Sequence, residues 1–144
     1  MEDVIYSNNP AWRDTPVERD IETDTVSGSQ KQKRSKYIAA NALKLADFKC
    51  EAVPEGHTSF LLKNGIRYTE LHHLIPLSKW KDFNYSLDIE QNIVSLFSEC
   101  HNLLHYGRIE DKLTILHDFY VQRVEALAKA DIQITLDQLV EYYR

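Results

Sequence analysis

The sequence predicts an α+β domain in which a β-hairpin and a short strand lead into a helix, with further helices on both sides. Three observations predict it. An Asn64-Gly65 pair sits between two runs that read as strands, FLLK and IRYTELHHLI. An apolar run, IVSLF from Ile93, passes directly into the helical pattern ECHNLLHY. Apolar residues recur at helical spacing before and after this middle. The chain of 144 residues, 43% hydrophobic, suits one compact domain.

Taken in order, residues 1–30 are rich in Asp, Thr, Ser and Asn, show no apolar period and end in Val26-Ser27-Gly28-Ser29. They read as a flexible acidic tail or linker, which leaves 31–144 as the folded domain. Ser35 is an N-cap candidate, with Ile38, Ala42, Leu45 and Ala46 on one face of a helix ending near Phe48. Residues 60–75 form the hairpin, with Asn64-Gly65 as a type I′ turn and Pro76 as its stop. A polar and aromatic loop, 77–91, precedes the IVSLF strand. Gly107 takes the C′ position after ECHNLLHY. Ile109, Leu113, Leu116, Tyr120, Val124 and Leu127 mark a long helix, and Thr135-Leu136-Asp137-Gln138 is a capping box that opens a last short one. The core is placed at 50–107, and 108–144 are expected to brace it.

Charge excludes little. The net −5 lies wholly in residues 1–26, and 31–108 are weakly basic. That pattern is compatible with a nucleic-acid partner without requiring one. No apolar run approaches the ~18 residues of a membrane span. The start MEDVIYSNNPAW has neither the basic nor the apolar segment of a secretory signal. Two cysteines, Cys50 and Cys100, suit a reducing cytoplasm.

Histidine placement is the informative feature. His101 and His105 lie four apart on a predicted helix, so both imidazoles leave one face, the spacing that offers two nitrogens to one metal ion. His72 and His73 are adjacent at a strand end and point to opposite faces unless the backbone turns. A solvated His pair and a strand-end His carrying no chemistry are the plain alternatives.

Three pieces, Glu70-Leu71-His72-His73-Leu74-Ile75-Pro76-Leu77, Leu87-Asp88 through Asn92-Ile93-Val94-Ser95-Leu96, and Cys100-His101-Asn102-Leu103-Leu104-His105-Tyr106-Gly107, stand in an order and at distances that resemble the HNH nuclease family. The resemblance covers 50–107 and implies a ββα-metal (His-Me finger) core and metal-dependent DNA endonuclease activity. It makes His73 the general base, with an ordinary pKa of ~6.5 that suits neutral pH. Asn92 would fix the ring of that base, through its side chain or backbone. His72 and His101 would be metal ligands, with His105 either a third ligand or a phosphate contact. Glu70, on the strand face of His72, would orient a ligand ring or stand as a plain strand carboxylate. The implied cofactor is one divalent ion, Mg²⁺ first, with Mn²⁺, Ni²⁺ and Zn²⁺ as alternatives. The implied partners are DNA and a fused or associated sensor domain, as in the effector ends of restriction and phage-defence proteins.

The family often carries a structural zinc as well. Cys50, His57 and Cys100 fall at suitable places, but Phe97 stands where the fourth ligand belongs. Structural zinc takes four protein ligands, so loss of the site is expected. DNA contacts are expected from Lys31, Lys33, Arg34 and Lys36 near the first helix, Lys79 and Lys81 in the loop, and Arg108 after the metal helix. Trp80, Phe83 and Tyr85 either touch a groove or pin the loop. The competing reading is a non-catalytic nucleic-acid- or protein-binding module that keeps the ββα shape.

Overall fold

The structure is a computed structural model and describes residue 12, residues 14–53 and residues 59–144. Its elements are β1 (Ile21–Thr23), β2 (Gln30–Gln32), α1 (Lys36–Leu45), β3 (Glu70–His73), β4 (Ile93–Leu96), α2 (Ser98–Tyr106), α3 (Ile109–Lys129) and α4 (Leu136–Tyr142). The fold is α+β. Its centre is an antiparallel pair, with Glu70 opposite Leu96 and His73 opposite Ile93, followed at once by α2. This is the ββα arrangement.

Capping chemistry sets the helix starts. Ser35 accepts from the Ile38 amide at 3.4 Å and opens α1. Thr135 accepts from Gln138 N at 3.1 Å and opens α4. Gly107 stops α2 for a reason other than the expected one. Its φ is −75°, so no left-handed conformation is needed. A Cβ there would come within 2.7 Å of the Leu103 carbonyl oxygen, so the glycine supplies clearance for the tight passage into α3.

The hairpin is shorter than the sequence suggested, and its turn differs. Leu61 and Arg67 form an isolated bridge, and β3 pairs with β4 instead of with 60–63. The positive φ falls on Gly65 alone (85°). Gly65 N donates to Leu62 O, and Leu62 N to Ile66 O, a three-residue loop closed by a glycine bulge in place of a type I′ turn. Residues 21–32, which straddle the expected boundary between a tail at 1–30 and the domain, form the β1–β2 hairpin. The preceding segment docks on the loop through Ser86 N to Val17 O and Arg19 to the Phe83 carbonyl. Short polar strands leave no hydrophobic period, and so they escape a pattern search.

One apolar core joins β4, the 77–91 loop, α2, α3 and α4, with Leu74, Ile75, Leu87, Phe97, Leu116 and Phe119 almost wholly buried. Trp80 and Phe83 belong to it, so they pin the loop instead of offering a groove contact. The stripe α3 buries is Lys112, Leu116, Phe119, Arg123 and Leu127, while Leu113 is 44% exposed. The two cations are tolerated because backbone carbonyls receive them. Arg123 donates to the carbonyls of Gln91 (3.0 Å) and Ile93 (3.1 Å) and to the Glu51 carboxylate (2.6 Å). Replacing Arg123 with Met strands these acceptors and is expected to cost about 3 kcal/mol in a urea melt. An unchanged midpoint would mean that apolar contact alone holds α3.

Candidate active site

The β3–β4 register places His72 and His73 in the middle of the ββα unit, and α2 crosses the strand end carrying His101 and His105 on one face. The ring of His72 lies 5.2 Å from that of His101 and 5.1 Å from that of His105, centroid to centroid. One nitrogen from each of the three falls within 4.8 Å of the others. Nε2 of His101 and Nε2 of His105 are 3.0 Å apart. Ligand bonds of ~2.0–2.1 Å allow two such nitrogens to occupy neighbouring positions on one ion. The residues therefore fit a metal ion. Three imidazoles with no carboxylate suit a transition ion such as Zn²⁺ or Ni²⁺, whereas Mg²⁺ prefers oxygen donors.

The ring of His101 is held from behind. Glu70 Oε1 takes the Nδ1 hydrogen of His101 at 2.9 Å, which leaves Nε2 of that ring as the lone pair. Its other oxygen accepts from the hydroxyls of Tyr68 (2.7 Å) and Ser98 (2.8 Å). The Tyr68 and His101 bonds hold the Glu70 carboxyl below its ordinary range. His72 is 6% exposed, and burial, with His101 and His105 beside it, pushes its pKa down to about 3. A neutral imidazole is the form that binds metal. His105 is also lowered, first by burial and then by His101.

His73 faces a different partner. Its Nε2 lies 2.8 Å from Asp88 Oδ1, and both residues are buried. Asp88 Oδ2 accepts from the Ser35 amide at 2.6 Å, so this carboxylate links the start of α1 to the ring. Asn92 does not touch the His73 ring, contrary to expectation. Its side-chain oxygen accepts from Ile75 N at 2.8 Å, its amide donates to the carbonyls of Ile75 (3.0 Å) and Leu87 (2.9 Å), and its own carbonyl accepts from Leu74 N. Wholly buried, Asn92 fixes the backbone on both sides of the 77–86 loop and so places the strand end that carries His73.

His72, His73, His101 and His105 share a cleft of ≈ 520 Å³ with Arg34 and Lys112. Of the seven basic residues expected to meet DNA, Arg34 is the one lining this cleft, and Lys31 pairs with Glu22 at 3.1 Å. Lys33 lies 3.8 Å from Asp20, and Arg108 pairs with Asp111. Lys36, Lys79 and Lys81 lie over the rings of Tyr37, Tyr142 and Trp80. Lys112, Tyr142 and Tyr143 also line the cleft, so the C-terminal third does more than brace the core.

Asp88 and Tyr143 escaped the sequence reading. Asp88 left only a weak trace, its place between the apolar Leu87 and Ile89. Tyr143 left none, because its contact spans 71 residues.

The second site is different in kind. Cys50 is fully buried, and the free thiols of Cys50 and Cys100 share a hydrogen bond. Burial, with Cys50 beside it, pushes the Cys100 thiol up to about 12. Phe97 sits in the apolar core with Cys50. His57 lies outside the described residues.

Residues 58–107 match the family model for the HNH endonuclease. This stretch is similar to an HNH domain. The model spans β3, β4 and α2, and with them all four clustered histidines and Asn92. Among solved structures, the chain is similar to the Type IV phosphorothioation-dependent restriction endonuclease ScoMcrA, at 23% identity and a TM-score of 0.42. That likeness covers 78% of this chain and 20% of that one. Curated proteins give no match. No described helix is long and apolar enough to cross a membrane.

Proposed function

We propose that the chain is a metal-dependent DNA endonuclease domain that hydrolyses phosphodiester bonds, with His73 as general base. The convergence of His72, His101 and His105 beside the Asp88-bonded His73 in one cleft carries this reading. His72 would hold the ion with His101 and His105. Bound there, a divalent ion supplies Lewis-acid stabilisation to the leaving 3′ oxygen and a non-bridging phosphate oxygen.

The protein's own groups do the rest. With Asp88 accepting from Nε2–H, Nδ1 of His73 keeps the lone pair and takes a proton from the attacking water. Glu70 fixes the His101 tautomer, and Asn92 holds the strand end beneath the base. Arg34 offers a charge-assisted contact to a phosphate entering the cleft. Phosphate contacts position a duplex without reading its sequence, so a separate sensor domain of a restriction or phage-defence protein would choose the target.

Supercoiled plasmid incubated with Mg²⁺, Mn²⁺, Ni²⁺ or Zn²⁺ tests the reading. Nicking is expected with at least one ion and is expected to stop on chelation. Cleavage that persists undiminished in excess chelator overturns the metal-dependent mechanism. High discrimination for one sequence by the isolated chain would count against a separate sensor.

A further inference from the structure

The described residues outside the four histidines hold one buried group that reaches a histidine ring from the far end of the chain. Tyr143 is 8% exposed, and its hydroxyl lies 2.7 Å from Nε2 of His72. The same hydroxyl donates its one hydrogen to the Leu74 carbonyl. A phenol has a single hydrogen to give, so its oxygen meets His72 as an acceptor. His72 must then carry its proton on Nε2, which leaves Nδ1 as the ring's only free lone pair.

Tyr143 is itself tied down. Lys112, 4% exposed on α3, donates to the Tyr143 carbonyl at 3.1 Å and lies 5.8 Å from its ring centre. The phenol is buried and pushed up from its ordinary value, so it stays protonated as the donor to Leu74. Both ends of Tyr143 are thus satisfied, and the residue acts as a rigid stop behind the His72 ring.

We infer that Tyr143 is a positioning residue that locks His72 in the Nε2–H tautomer and presents Nδ1 to the ion. His101, held through Nδ1 by Glu70, presents Nε2 instead, so the ligand set is of mixed kind. A carboxylate behind one ligand and a neutral phenol behind another give the two rings different basicity. The inference rests on the metal-site reading above, and its first test does not need an ion.

Long-range ¹H–¹⁵N correlation on the metal-free full chain reads the tautomer of each histidine. His72 is expected as the Nε2–H form in the wild type and as a mixture in Tyr143→Phe. A wild-type Nδ1–H signal for His72 overturns the inference without any variant. Titration with Co²⁺, followed by visible absorption, is expected to show affinity reduced about 10–100-fold in Tyr143→Phe, the size of effect known for partners that orient a metal ligand. Equal affinity in the two proteins overturns the inference while leaving the metal site intact. A wild type that binds no Co²⁺ overturns both the metal reading and the ligand role, and this outcome is distinguished by the blank titration itself.

Discussion

His73→Ala is expected to lower plasmid cleavage by about 10²–10⁴-fold, the usual worth of a positioned general base. Metal affinity should be nearly unchanged, because the three clustered imidazoles remain. The split between lost turnover and retained ion separates a base from a ligand. The cavity left by the imidazole faces the cleft and lies beside Asp88, so added imidazole has a place to bind and should restore part of the rate. Cleavage equal to wild type would remove His73 from the mechanism. Loss of Co²⁺ binding together with activity would move it into the ligand set.

Asp88→Asn is expected to cost nearly as much, about 10²–10⁴-fold, through the tautomer of His73. The carboxylate accepts from Nε2–H, whereas an Asn can turn its amide toward the ring and donate. That would place the proton on Nδ1, the atom that must be free. The substitution is close to isosteric, and the Ser35 amide can still be met by the side-chain oxygen, so the fold should persist. Circular dichroism and Co²⁺ titration should match the wild type while nicking falls. Full activity in Asp88→Asn would show that the ring needs no acceptor behind it.

The parts of this fold legible in the sequence share a local cause. Ser35 and Thr135 act through bonds three residues away, and the His101–His105 spacing is a property of one helix turn. Where contacts span the chain, local pattern fails. The hairpin at 60–75 reads as one unit because its two halves are adjacent and β-rich, yet β3 finds its partner in β4 more than twenty residues on. The buried stripe of α3 passes beside Leu113 and takes in Lys112 and Arg123, which count as polar until their carbonyl acceptors are known. The same holds for the candidate site. The histidines announce themselves by type and spacing, whereas Asp88 and Tyr143 matter only through what the tertiary fold sets against them.

The bond between His72 and Tyr143 also orders events in time. A chain emerging from the ribosome displays all three clustered imidazoles some forty residues before it yields the phenol that backs the first of them. Until residues 142–144 arrive, Lys112 lacks the Tyr143 carbonyl and the cleft lacks one of its walls. A stretch of chain that carries the three imidazoles without residue 143 therefore lacks the stop behind His72.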